Sequence, residues 1–327
     1  MSYINRSGAE ALMPEELQKE IIQTVPEQSA VMSLAARAPN MSRAQKRIPV
    51  LSVLPTAYFL NPGPAARSDV SRKKLTTQAW ENKYLDAEEL AVIVAIPEAV
   101  LDDVDYDMWG EVKPKLLEAF GTAFDRAVFY GENAPAAWPN DLLTGATAAG
   151  NVVTVGSLGD GTDVYDEILG DQGVISKIEE DGFMVSGHVA ALTMRGRLRG
   201  LRDDNGQPIF KSLYKEGVQG ATRYELDGEQ VIFPRNGGID SNLSQLISGD
   251  WRQLIYAIRK DITWKILTEA VIQDPITGEI LYNLAQQDMV ALRAVMRLAW
   301  QVPNPVNRVQ EVEENRYPFG LLVPAGS

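Results

Sequence analysis

The chain has 327 residues, no cysteine, a single histidine and a formal net charge of −13. Without cysteine there are no disulfides, thiolate metal sites or cysteine nucleophiles, and one histidine, His188, excludes most imidazole ligand sets. An acidic chain is poorly suited to gripping nucleic acid through phosphates; its charge favours solubility and repels polyanions.

The length suggests about two domains at ~150 residues each. A hydrophobic content of 45% is ordinary for a chain that buries a core. No apolar run approaches the ~18 residues of a membrane span. The opening MSYINRSGAEALMPEE lacks the basic-then-apolar pattern of a secretory signal.

In chain order, Leu17, Ile21 and Ile22 mark a short amphipathic piece that closes before Pro26. Ser29 to Ala35 mark a second, ended by Pro39. Both are too short to hold a core alone and predict an arm packed on another part of the chain, or on a neighbour. Arg47 to Leu54 suits a strand. Pro55 to Trp80 contains little core material, with Pro55, Pro62, Gly63 and Pro64 followed by Arg67, Asp69, Arg72, Lys73 and Lys74. A stretch this long without core residues is unusual in a compact domain, and its flanks favour a long projecting hairpin. Leu90 to Ile96 is apolar at successive positions, as in a strand covered on both sides, and Pro97 ends it.

The stretch Asp105 to Gly131 is the strongest periodic signal. Trp109, Val112, Leu116, Phe120, Ala123, Phe124, Ala127 and Val128 recur at helical spacing. Asp105 or Asp107 suits the N-cap, Gly131 suits the left-handed residue after the end, and Pro114 predicts a bend. At 1.5 Å per residue the rod would be roughly 37 Å long. Such a stripe needs a sheet or helix beneath it.

After Gly131 a loop of turn formers is predicted to Asn151, then a strand over Val152–Val155. Val164 to Ile178 reads as a helix weakened by Gly170 and Gly173. Phe183–Thr193 reads as a buried strand, Met194–Leu201 as a short helix, and Asp203 to Gly206 as a turn. Asp227-Gly228 divides Tyr224–Phe233 into a hairpin. Leu246-Ile247, Gln253–Ile258 and Trp264–Ile272 read as further strands of an α+β unit with its own core, between Asp163 and about Pro275. Val290 to Val302 alternates as a one-faced strand, with a helix as the runner-up reading. Its 13 residues would span roughly 43 Å, long enough to run beside the 105–131 rod.

Chemistry-bearing patterns are few. Asp102 to Asp107 resembles a cation loop, but an EF-hand starting at Asp103 fails. Met108 stands where glycine is needed and Pro114 where the bidentate glutamate is needed. An acid-rich helix start explains the same residues. Gly156 to Gly161 lacks the Lys-Ser/Thr of a phosphate loop, and Asp160 would repel phosphate. His188 lies in an apolar run without a sequence neighbour to work with, which predicts a packed, hydrogen-bonded imidazole. Basic residues gather at Arg43–Arg47, at Arg72–Lys74, and at Arg195, Arg197, Arg199 and Arg202. They form either a solvated face or one that meets acids of a neighbouring subunit. No catalytic residue, cofactor or metal site emerges.

The order of segments resembles the major capsid proteins of tailed bacteriophages with the Hong Kong 97-type fold. PEELQKEIIQTVPEQSAVMSLA resembles the family's N-terminal arm. IPVLSVLPTAYFLNPG with KKLTTQAWENKYLDAEELAVIVAIPEAVLDD resembles its extended E-loop returning into the P-domain. DMWGEVKPKLLEAFGTAFDRAVFYG resembles its spine helix, including the Asp near the end and the terminal Gly. MRGRLRGLRDDNGQPIF, carrying Leu198, Leu201, Asp203, Gly206 and Pro208, resembles an A-domain segment. ELDGEQVIF and ISGDWRQLIYAIRKDITWKI resemble the strands that follow, and LRAVMRLAWQVPNPVNRV the return strand of the P-domain.

The resemblance implies a division into an arm (1–48), E-loop (49–90), P-domain with spine helix (91–160), A-domain (161–275), and return strand with C-terminal tail (276–327). It implies a structural, non-enzymatic protein of the virion, assembled in the bacterial cytoplasm. Hexamers and pentamers of the chain would form an icosahedral shell around double-stranded DNA, which they contact weakly. Arg67, Arg72, Lys73, Lys74, Arg195, Arg197 and Arg199 are the candidate inter-subunit contacts. A scaffolding protein is expected as a separate chain, because the arm begins almost at once, and a portal protein is a further partner. The Lys–Asn cross-links of some members would pair Lys73 or Lys74 with Asn304 or Asn307 and are not expected here. Stability then rests on buried interface or on a decoration protein. Two rival readings are an encapsulin-type compartment shell and a soluble enzyme with a cleft at His188.

Overall fold

The computed structural model describes residues 29–59, 73, 75–103, 108–159, 163–200, 202, 210–214, 222–274 and 276–325. Ser29 caps α1 (Ala30–Leu34) by accepting a hydrogen bond from the Met32 amide at 3.0 Å. Strands β1 (Ala36–Arg37), β2 (Gln45–Val53), β3 (Ala79–Asp86) and β4 (Glu88–Pro97) follow, then α2 (Glu98–Asp103). The expected rod is α3 (Met108–Tyr130), which continues through Pro114 and ends at Gly131 with φ +68°. Its expected caps, Asp105 and Asp107, lie outside the described residues, as does Leu17 to Ile22 of the arm.

The predicted loop after Gly131 contains a helix, α4 (Leu142–Ala149). Asp141 caps it by accepting from the Thr144 amide, and Gly150 closes it in the left-handed region. Small and turn-forming residues hid a helix whose Leu142 and Ala146 share one buried face. Strand β5 (Val152–Thr154) follows as expected. The single helix predicted after Asp163 is two: α5 (Val164–Leu169) and α6 (Val174–Glu180). The break falls at Gly170, whose backbone is extended, and a Cβ there would lie 2.5 Å from the Asp166 carbonyl oxygen, so this corner accepts only glycine. The strand expected over 183–193 shortens to β6 (Gly187–Ala190), and α7 (Met194–Gly200) forms as predicted. Next come β7 (Lys211–Tyr214), β8 (Thr222–Leu226) and β9 (Glu229–Ile232). The β8–β9 turn has φ +51° at Asp227 and +80° at Gly228, as the Asp-Gly signal requires. Asp203 to Gly206 lies outside the described residues.

The remaining strands are β10 (Leu246–Gly249), β11 (Ile255–Leu267), β12 (Val271–Gln273), β13 (Ile280–Asn283), β14 (Met289–Gln301) and β15 (Phe319–Val323). Two strands were expected over 253–258 and 264–272, but β11 is one continuous strand. It pairs with β14 rather than with the strands of the 163–250 region. Irregularities at Ile258/Lys260 and Lys260/Thr263 break the period-two alternation that would have revealed it.

The first sheet has the order β1-β11-β14-β4. Ala294, Met296, Leu298 and Trp300 of β14 share a buried cluster with Phe120, Phe124 and Val128 of α3, so the rod does lie on this strand. β14 is nevertheless not one-faced. Its opposite side carries Ala299, which joins Met41, Leu85 and Ala257 in a second small cluster. Alanine and valine on both faces of a central strand mimic one-sided alternation when two arginines interrupt one side. β4 is corrected the other way. Leu90 and Val92 pack beneath α3, while Ile93 remains 45% exposed, so this strand is covered on one side only.

The second sheet has the order β5-β15-β10-β6-β9-β8-β7. One side packs on α5, α6 and α7 through Ile168, Ile175, Ile178 and Leu198. Val189, Ile247 and Leu321 instead join the cluster under α3, where Trp251 meets Phe129 and Phe319 edge-on at 6.4 and 5.2 Å. The two sheets are thus fused through one aromatic core.

Candidate assembly surfaces

Two hairpins stand outside both large sheets. In the first, β2 and β3 pair antiparallel from Gln45↔Asp86 to Val53↔Ala79. Leu85 buries its root, and Val50 is buried midway along β2. Beyond the root it exposes Val53, Trp80 and Tyr84, and the chain leading on from each strand exposes Phe59 and Leu75, both at least 90%. Folded cores leave single apolar side chains in water, but a run of large ones along one ribbon marks a contact surface.

The second hairpin, β12–β13, was not foreseen. It exposes Val271, Ile276, Ile280, Leu281 and Tyr282, with Ile276 at 93%. Its turn is fixed by Asp274, whose carboxylate accepts from the Ile276 and Thr277 amides at 2.8 Å each. Those bonds hold the carboxyl below its usual range. The signal was present as two apolar runs flanking Asp-Pro-Ile-Thr-Gly, but the boundary between the expected strand and the return strand obscured it.

The arm is clipped to α3. Asp125 is fully buried and accepts from Ser29 Oγ at 2.5 Å, from the Ala30 amide at 2.8 Å and from the Val31 amide at 3.1 Å. Burial pushes its carboxyl up to about 6, against these hydrogen bonds, which favour the charged form. An acid four residues before the rod's last buried aromatic thus ties the leader to the core, at least from Ser29 onward.

The seven basic candidates do not converge among the described residues. Arg67, Arg72 and Lys74 lie outside them, and Lys73 is exposed. Arg195 sits 4.7 Å above the Tyr224 ring and donates to its hydroxyl. Arg197 donates to Gln245 Oε1 at 2.8 Å, and Arg199 is exposed. Met194 and Leu198 form the buried face of α7, so the arginines radiate from its other sides.

The remaining motifs are structural. His188 is fully buried, with Nδ1 2.8 Å from Ser248 Oγ, also fully buried. Desolvation lowers its pKa to about 4. A serine does lie beside the imidazole, but both sit inside the sheet rather than in a cleft. The Gly156 amide donates to the buried Glu167 carboxylate, an anion that would repel a phosphate. The side chains of Asp102 to Asp107 lie outside the described residues, and among those described no acid or histidine cluster suits a metal. Asn304 and Asn307 spend their amide groups internally, donating to the carbonyls of Arg316 at 2.9 Å and Asp181 at 2.7 Å. A cavity of about 530 Å³ beneath α3 is floored by Leu90, Phe124, Trp138 and Leu298. Ion pairs line its rim, Lys115–Glu118 at 3.2 Å and Arg126–Glu132 at 3.0 Å. No described helix is long and apolar enough to cross a membrane.

A fused two-sheet body with a tethered arm and two apolar hairpins is the build of a subunit that interlocks with others. Comparison with known proteins identifies which kind. Residues 9–307 match the phage capsid family. Over 288 residues the chain is 26% identical to the major capsid protein of Staphylococcus phage 80alpha, covering 88% of this chain and 80% of that one. A solved structure from Microbacterium phage Oxtober96 superposes with a TM-score of 0.78 at 34% identity, over 99% of this chain and all of the other. One from Mycobacterium phage Adephagia gives 0.78 at 26% identity over 100% and 99%. The chain belongs to the phage capsid family and has the Hong Kong 97-type fold expected from its segments.

Proposed function

We propose that this chain is the major capsid protein of a tailed phage, and that its hexamers and pentamers close into an icosahedral shell around double-stranded DNA. The observation that carries this reading is the division of apolar surface. The body completes its own core, yet both hairpins hold Trp80, Tyr84, Ile276 and Tyr282 in water. Each large aromatic side chain has ~150–250 Å² to bury, and a stable interface needs ~800 Å² per partner, so a few such ribbons per subunit are enough. The protein is not an enzyme in this reading. The encapsulin alternative is supported by no feature of the chain or its relatives.

The finer assignments belong to the same proposal. The division into arm, E-loop, P-domain, A-domain and tail is kept, with the A-domain drawn back to about Gly249 because β11 pairs with β14. Lys73, Arg197 and Arg199 are the exposed cations suited to acids of a neighbour, with Arg67, Arg72 and Lys74 on the same loop as Lys73. Arg195, held by Tyr224, serves the subunit itself. The net charge of −13 suits a lining along which packaged DNA slides. A scaffolding protein and a portal are the expected partners, with a decoration protein as the alternative to buried interface for stability, and assembly is expected in the bacterial cytoplasm. Electron microscopy of the purified chain, with and without phage scaffolding protein, tests the proposal. Closed shells or capsomers are expected, and a monomer under every condition would overturn it.

A further inference from the structure

β2 and β3 pair in a sheet of their own, which joins the first sheet at its root through Ala87, the residue between β3 and β4, and through the Gln301 side chain of β14; beyond that root other contacts must fix its direction. The loop over residues 302–316, with Gln301 just before it, touches both of its strands. On the outgoing side the Val306 amide donates to the Leu51 carbonyl at 3.1 Å, and Arg308 donates to the Pro55 carbonyl. On the returning side Gln301 Nε2 donates to the Tyr84 carbonyl at 3.0 Å, and Lys83 Nζ pairs with Glu313 Oε1 at 2.7 Å.

The loop itself is rigidly organised. Arg316 is 3% exposed and spends its guanidinium on three carbonyls of the loop, those of Glu311, Asn304 and Pro305, at 2.7, 3.1 and 3.2 Å. Asn304 returns a bond to the Arg316 carbonyl at 2.9 Å. Asn307 ties the loop to the body through the Asp181 carbonyl at 2.7 Å, and the Asp181 carboxylate accepts from Asn151 at 2.6 Å and from the Tyr317 amide at 2.9 Å. A planar fork holding three acceptors is what lets a loop of irregular backbone act as one piece.

Between this loop and the hairpin lies a cavity of about 210 Å³ lined mainly by polar groups. Glu81 and Lys83 of β3 line it on one side and Glu311, Glu313 and Arg316 of the loop on the other. The join is therefore polar and loosely filled, unlike the close-packed aromatic core, and it permits small displacements.

We propose that the 302–316 loop is a strut that sets the angle of the β2–β3 hairpin, with Arg316 as its positioning residue and Lys83–Glu313 as its adjustable catch. Leu85, fully buried, is the pivot. At ~3.3 Å per residue Lys83 lies about 7 Å from it and Ala79 about 20 Å, so a displacement at the catch grows about threefold by the strand's outer end. A half-exposed ion pair adds little to folding, so its loss frees the strand at the catch without lowering the melting temperature. The role in setting contacts between subunits rests on the capsid reading above; the strut itself does not.

The chain has no cysteine, so two labels are easily placed without competition. Asn82→Cys on β3 and Glu180→Cys on α6 carry spin labels at exposed positions, and pulsed electron resonance reads their distance in unassembled subunits. The parent gives one narrow distribution. Lys83→Glu and Glu313→Lys each broaden or shift it while leaving the melting temperature in place, and the two together restore it. Arg316→Lys, which keeps the charge but not the fork, broadens it as well. Unchanged distributions in the single variants, or no restoration in the double, overturn the strut. Shell diameter by electron microscopy is the second readout. If the distance shifts but the parent forms no shell, the capsid reading fails and the strut stands.

Discussion

Asp125→Asn separates two buried titrations that oppose each other. Asp125 rises from 3.8 to about 6, so its contribution to stability is fully present below pH 3.8 and is lost as the pH rises through 6. His188 falls from 6.5 to about 4, so its contribution is present above pH 6.5 and is lost as the pH falls through 4. Each shift is about two units, or roughly 3 kcal/mol at 1.36 kcal/mol per unit. Between pH 7 and 4.5 the aspartate gains about 2 kcal/mol and the histidine loses about as much, so the parent shows little net acid response from this pair. The amide cannot take up the proton and also turns one acceptor into a donor facing Ser29 or the Ala30 amide. Urea unfolding of unassembled subunits at both pH values should show the deficit of Asp125→Asn widening by about 2 kcal/mol at pH 4.5. A deficit independent of pH would mean that the carboxyl titrates normally, and the account of the clip would be wrong.

Other substitutions follow from the same structure. His188→Gln should remove the histidine's loss in acid and leave the Asp125 gain uncompensated, raising stability at pH 4.5 by about 2 kcal/mol relative to pH 7 in the same urea titration. Gly249→Ala should cost at least ~1–3 kcal/mol by thermal unfolding, because its Cβ would meet the Phe319 ring, which has no room to turn away beside Trp251. Phe124→Ala should cost about 3–5 kcal/mol in urea by hollowing the core between α3 and β14. Ile276→Asp should leave unfolding within ~0.5 kcal/mol of the parent, since the side chain is 93% exposed, yet abolish shells by electron microscopy.

Regular elements with one strong period were readable in advance. The eight apolar positions from Trp109 to Val128 specify α3 because a long amphipathic stripe has few alternative uses, and Gly131 supplies its stop. The Asp227-Gly228 hairpin was legible because backbone sterics, not packing, choose those residues. Elements whose pattern depends on several neighbours were not. β11 carries bulges and β14 lies between two clusters, so their alternation reports two faces at once. α4 is built of small residues that the sequence spends on turns as readily as on helices. Of the candidate assembly surfaces, the first hairpin was signalled by the core-poor stretch Pro55 to Trp80 that joins its strands, most of which lies outside the described residues, whereas β12–β13 carries as much apolar side chain as a core strand. Hydropathy alone cannot tell whether such a strand faces its own chain or another.

That ambiguity has a physical source. Isoleucine at 280 and isoleucine at 247 lose the same hydration on burial, and nothing local distinguishes them. What separates them is the sheet to which each strand is bonded. Leu246–Gly249 has partners on both edges, β15 and β6, and its side chains meet helices and aromatics. Ile280–Asn283 has one partner, three residues long, and no layer above it among the described residues. A two-stranded ribbon is marginal in water on its own. Its persistence here depends on the Asp274 turn at one end and on the Leu284 amide bonded to the Ala270 carbonyl at 3.0 Å at the other. A ribbon pinned at both ends with its apolar side chains uncovered is preorganised for a partner, because the ordering entropy is already spent before contact. The β2–β3 hairpin is pinned in the same way at its root by Leu85 and by the 302–316 loop. Both ribbons are therefore ordered before any contact, β2–β3 with play only at its catch, so apolar area that a neighbour covers would be gained at little ordering cost.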